Sequence, residues 1–168
     1  MLENIYKDIR NRLKTMVPEL QLIDLDTGQL ELQTDSYPIL CPAVFIDFQG
    51  SSAWINTTQQ LYIGDVNINI RIVFDIIEDM SNLTPDAISD EAISKLQVQT
   101  KIHIALAGFA GSNYNSLTLL SGPSSERRED GYKVYEYTYV TNVRNSVAMP
   151  VLTAINDVEP TVTKKTAP

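Results

Sequence analysis

The chain has one cysteine, one histidine and one tryptophan in 168 residues. A single cysteine, Cys41, excludes an intrachain disulfide. Its neighbours Leu40 and Pro42 mark a buried thiol at the start of a strand, because a free cysteine behaves as a small hydrophobe. A single histidine, His103, leaves Ser–His–Asp triads and histidine-ligated metal sites without their parts. No run approaches about 18 uncharged apolar residues, the length a membrane-spanning helix needs. Charges at Glu3, Lys7, Asp8, Arg10, Arg12 and Lys14 interrupt the N-terminal stretch. It therefore lacks the apolar region of a signal peptide, and synthesis in the cytoplasm is the expectation.

Basic residues are scarce in the middle of the chain. Residues 21–100 hold twelve acids against two bases, Arg71 and Lys95, within a total formal charge of −8. A centre of that sign is unsuited to gripping phosphate backbones, which takes clustered Lys and Arg. Asp24-Leu25-Asp26-Thr27-Gly28 starts like a calcium loop, but its glycine comes one residue early and Asp35 stands where a glutamate belongs. A polar turn accounts for it. Glu78, Asp79, Asp86, Asp90 and Glu91 read as a solvated loop and the acidic start of a helix, where the dipole favours anions. Gly108-Phe109-Ala110-Gly111 lacks the Gly-Lys-Ser/Thr ending of a phosphate cradle and reads as a helix C-terminus. No matched catalytic groups, metal set or cofactor motif emerges, so the expectation is a non-enzymatic protein without cofactor.

What the sequence does contain is periodicity. Leu2, Ile5, Tyr6, Ile9, Leu13 and Met16 recur at spacings of three and four and predict an amphipathic helix over 2–16, ended by Pro18. Residues 20–25 predict a short strand, Asp26-Thr27-Gly28 a turn, and Leu30 and Leu32 a hairpin partner. Pro42–Gln49 is a further strand, followed by a loop from Gly50 that holds Trp54. Leu61–Ile63 reads as a strand end. Val66, Ile68, Ile70, Ile72, Phe74 and Ile76 then alternate strictly with Asn67, Asn69, Arg71 and Asp75, the signature of a long strand with one dry face. A second helix is predicted from Thr84-Pro85 to about Ala107, with Ile88, Ile93, Leu96, Ile102 and Leu106 among its apolar residues. Ser116–Leu120, a bend or bulge at 122–126, a turn at 129–131 and a strand over Tyr132–Thr141 complete the pattern.

That order predicts one α+β domain over residues 1–141, its largely antiparallel sheet packed by an N-terminal and a central helix. Residues 142–168, with Pro160 and Pro168, are expected to form an extended or disordered arm. Tyr135, Tyr137 and Tyr139 fall on one strand face, which suits either a half-buried sheet surface or a contact surface. With Trp54 and Tyr62 they are the candidate interface residues, Trp54 having the alternative of folding back on the core.

In layout the chain resembles the tail terminator, or tail-completion, proteins of long-tailed phages and prophages. The resemblance covers roughly Leu2–Thr141. It is carried by the N-terminal amphipathic helix, PAVFIDFQ (42–49), a variable loop with a tryptophan, GDVNINIRIVFDIIED (64–79), a helix ending Leu106-Ala107-Gly108 and a Tyr-rich last strand. It implies a virion protein that forms a ring, commonly of six subunits, on the tail tube. The ring ends tube polymerisation, presents a surface to the head connector and lets DNA pass without specific binding. Under that resemblance Asp75, Glu78 and Asp79 would belong to an acidic lumen or surface. Another phage neck or head-completion protein is the nearest alternative, and a soluble small-ligand-binding domain the next.

Overall fold

The structure is a computed structural model and describes residues 1–31, 39–58, 61–75, 86–129 and 131–145. Helix α1 (Leu2–Met16) buries Ile5, Ile9 and Leu13 completely, one per turn. It stops at Val17, whose N–H still donates to Leu13 O at 2.8 Å, and Pro18 prevents another turn. Strand β1 (Leu22–Leu25) follows. Strands β2 (Ala43–Thr58) and β3 (Leu61–Asp75) form a long antiparallel pair. Helix α2 (Asp86–Leu106) crosses to β4 (Thr118–Arg127), which pairs with β5 (Tyr132–Asn145). The sheet order is β1-β2-β3-β5-β4, antiparallel except for β1 beside β2. The α+β class expected from the pattern is the one observed.

The alternation in β3 has the consequence it predicts. Val66, Ile68, Ile70, Ile72 and Phe74 are buried on the face that α1 and α2 cover, where Val44, Ile46, Tyr137, Tyr139 and Val143 join them. Ile76 lies outside the described residues. On the opposite, open face only one end is dry: Leu30, Ala43, Phe45, Val73 and Val134 form a second, small core.

Four local details differ from the pattern read in the sequence. The hairpin partner expected at Leu30 is a turn through residues 28–31, and Leu32 lies outside the described residues. β1 runs parallel to β2, Leu22 beside Ala43 and Leu25 beside Ile46, while Glu31 N–H donates to Gly28 O in a turn. Leu30 fills the small core instead of a strand register, and that burial outweighs its local alternation. The loop expected from Gly50 is a continuation of β2. A register shift between Gly50 and Trp54 absorbs the poor strand formers, and Trp54, Ile55 and Asn56 pair with Gly64, Ile63 and Tyr62. On α2 the buried face is Ala92, Val98, Gln99, Ile102, Ala105 and Leu106, whereas Ile93 and Leu96 point to solvent. The last strand runs to Asn145, four residues past its expected end, and the expected arm from 146 onward lies outside the described residues.

α2 ends as predicted. Gly108 takes φ +76°, a conformation that costs a residue without Cβ little, and its N–H reaches Leu117 O at 2.9 Å.

Candidate assembly surfaces

At the end of the sheet where Tyr62 pairs with Asn145, apolar groups stand exposed among the described residues. Trp54, Ile55 and Tyr62 are exposed there, Ile55 to 66%. Gly64 is what lets the indole lie down: a Cβ at that position would stand 2.7 Å from Trp54 Cδ2 and Cε3. Strand register brings Trp54 and Tyr62 together at this end, since their partners Gly64 and Asn56 sit two positions away along the same ladder.

The other predicted tyrosines go elsewhere. Tyr137 and Tyr139 are buried beneath α2. Gln99 Nε2 donates to the Tyr137 hydroxyl at 2.6 Å, and His103 Nδ1 lies 2.8 Å from the Tyr139 hydroxyl. His103 also stacks on both rings, at centroid distances of 6.0 and 6.1 Å. These contacts account for the lone histidine as a packing and hydrogen-bonding group. Burial, and then the neighbouring Tyr137, hold the Tyr139 phenol in its neutral form well above the usual tyrosine range. Tyr135 is half-buried, edge-on to Phe74 at 6.0 Å, with Lys133 Nζ over its ring. Asp75, the last residue of β3, is exposed and paired with Lys95 at 2.9 Å. Glu78 and Asp79 lie outside the described residues.

Two surfaces were not singled out from sequence. On α2, Ile93, Leu96 and Ile104 form an outward stripe, Ile104 being 61% exposed. Apolar residues on opposite sides of one helix were the available signal, because one buried face does not account for all of them. Strand β4 is exposed along its whole length and forms one edge of the sheet, with Leu119 and Leu120 open. Such an edge offers unpaired backbone groups to a neighbour, and Pro123 and the register shifts around Ser121 break its regularity.

The open face of the sheet is polar. Its cavity, about 510 Å³, holds the carboxylates of Asp26, Glu31, Asp47, Glu126 and Glu136 around one guanidinium, Arg71. Arg71 bonds Asp26 Oδ2 and Glu31 Oε1, each at 2.8 Å, and so ties the 26–31 turn to the sheet. Asp26 also accepts from Gly28 N–H at 3.0 Å. The segment that starts like a calcium loop thus spends that carboxylate within the chain. Cys41 is half-buried beside the small core; burial, and then Asp75, push its thiol up to about 11, so it stays protonated and unreactive near neutral pH. No described helix is long and apolar enough to cross a membrane.

No protein-family model matches the chain, and no curated protein matches it. Among solved structures it is similar to a chain described as "Virion of native gene transfer agent (GTA) particle", with a TM-score of 0.45 and 11% sequence identity over 82% of this chain and 92% of that one.

Proposed function

We propose that this chain is a non-enzymatic structural virion protein that caps a phage tail tube as a ring, ends tube polymerisation and offers the surface to which the head attaches. The observation that carries the reading is the uncovered end of the sheet. Trp54, Ile55 and Tyr62 stand exposed together where β2 pairs with the start of β3. Aromatic and aliphatic side chains clustered in the open are the usual anchors of protein interfaces. The stripe on α2 and the β4 edge supply further contact area away from that end. A ring subunit needs at least two different contact surfaces, because its interfaces are heterologous. The chain's layout, which resembles tail terminators, supports the tube as the partner. The acidic middle of the sequence suits a channel that DNA passes without sticking, since like charge repels phosphate.

The experiment is tube polymerisation from purified tail tube protein, with lengths scored by negative-stain microscopy. Adding this chain is expected to shorten the tubes and leave a ring at one end. Trp54→Ala combined with Tyr62→Ala is expected to restore uncapped lengths while the monomer stays folded by circular dichroism. Tubes that grow to the same lengths with and without the wild-type chain would sink the reading.

A further inference from the structure

The cavity on the open sheet face is acidic beyond its own needs. Arg71 pairs with Asp26 and Glu31, and Arg128 Nη1 lies 3.8 Å from Glu31, while Asp47, Glu126 and Glu136 stand around the same hollow with no further cation among the described lining residues. On its floor, Asn69 stands between Asp47 of β2 and Thr138 of β5. Asn69 is only 9% exposed, and its Oδ1 has no hydrogen-bond partner among the described residues. A buried amide oxygen left unpaired costs about 1–3 kcal/mol. Rotating the amide exchanges its oxygen and nitrogen, so this acceptor can turn toward a donor arriving in the cavity. Acceptor and carboxylates together call for a cationic hydrogen-bond donor.

The opposite side of the molecule presents such donors. Helix α1 carries Lys7, Arg10 and Lys14 on one exposed ridge. Lys7 also pairs with Glu3, one turn back on the same ridge, at 2.5 Å, and the helix's remaining base, Arg12, is turned inward: Arg12 Nε donates to Ala105 O at 3.2 Å, and the guanidinium lies over the Phe109 ring. The ridge and the cavity lie on opposite faces of the same sheet, because Ile5, Ile9 and Leu13 pack against the face that the cavity does not line. They cannot meet within one chain. Their dimensions agree: Lys7 and Lys14 are about 10 Å apart along the helix, and the strands bearing Asp47 and Glu136 are two spacings, about 10 Å, apart.

We infer that the cavity is a docking surface for the Lys7–Arg10–Lys14 ridge of a second copy of this chain. The contact is front to back. A symmetric face-to-face pair would set five carboxylates against five, whereas the front-to-back contact sets acid against base. Contacts of this kind are heterologous, and they close into a ring when each step carries a rotation. The inference names an interface for the proposed ring and rests on that reading only for the ring's closure.

Two charge-reversal variants test it: Asp47→Lys with Glu136→Lys in the cavity, and Arg10→Glu with Lys14→Glu on the ridge. Each is checked for folding by circular dichroism, and association is measured by sedimentation and native mass spectrometry without tubes. The wild-type chain is expected to self-associate at low salt. It should weaken tenfold or more as ionic strength rises from about 0.01 M to about 1 M, which shortens the screening length from about 30 Å to about 3 Å. Each variant alone is expected to associate at least tenfold more weakly than wild type. An equal mixture of the two should recover association, because each variant's ridge then meets a cavity of opposite charge.

The inference is overturned by a wild-type chain that stays monomeric at low salt, by variants that associate like wild type, or by a mixture that remains monomeric. Docking of tube protein in the cavity in place of a second copy overturns it as well. Tube capping is scored separately. Variants that fail to disturb association while wild type still caps tubes remove this interface and leave the proposed function standing. Co-assembly as expected with uncapped tubes does the reverse.

Discussion

The two faces of the sheet are made by the same strands and have opposite fates. On the covered face, alternate residues of β3 from Val66 to Phe74 are closed off by α1 and α2. On the open face, the residues between them are Asn67, Asn69, Arg71 and Val73, and only Val73 joins a core. A period of two makes this possible, since each step along a strand changes the side of the sheet. The covered face holds the fold together by removing apolar area from water. The open face is free to carry charge, and it holds the acidic cavity. The main core and the acidic cavity are thereby separated by the thickness of one sheet.

The sharpest way to break that comparison is a pair of adjacent truncations. Ile70→Ala, at a fully buried position, is expected to destabilise the chain by about 2–5 kcal/mol in urea unfolding, from lost transfer energy and the cavity left behind. Asn69→Ala, one residue away on the other face, is expected to change stability by less than about 1 kcal/mol, because it removes an amide whose oxygen is already unpaired. Equal losses at the two positions would mean the faces do not differ as described.

Arg71 joins the open face to the 26–31 turn, so Arg71→Ala tests how far that face contributes to the fold. The expected cost is about 1–2 kcal/mol, mostly from leaving the largely buried Asp26 carboxylate uncompensated, with the half-exposed Glu31 adding little. Hydrogen exchange should quicken at Glu31 N–H, which is bonded in the turn, and remain slow in β3.

On the covered face, Tyr139→Phe removes the hydroxyl that meets His103 and is expected to cost about 1 kcal/mol. The same group sets an alkaline limit. Burial raises the Tyr139 pKa in the folded chain, so the folded state favours the protonated phenol. Its contribution is full below the unfolded value of about 10 and is lost as pH rises above it. Wild type should therefore lose stability more steeply above about pH 10 than Tyr139→Phe does, as read from urea midpoints across that range.

The smallest effect is expected at the uncovered end. Gly64→Ala should leave global stability within about 0.5 kcal/mol yet displace the indole that packs on it. Trp54 is the only tryptophan, so a change in its emission reports the displacement directly. An unchanged spectrum would mean the ring does not rest on the strand at Gly64.

Periodicity determined α1, the long alternating strand and the strand that ends the described chain, because 3.6- and 2-residue repeats are local properties that need no partner; α2 was marked instead by its Thr84-Pro85 start and its Gly108 end. Composition determined that no intrachain disulfide or histidine cluster could form. Tertiary structure decided what depends on distant residues. β1 lies parallel to β2, with Leu30 of the following turn in the small core, a pairing that no local pattern encodes. The stretch after Gly50 is strand because β3 reaches far enough to pair with it. Tyr137 and Tyr139 are core while Trp54 and Tyr62 are surface because α2 covers the middle of the sheet and not its end. Aromatic side chains suit either setting, so which tyrosines remain available for contact was legible only once the position of the helices was known.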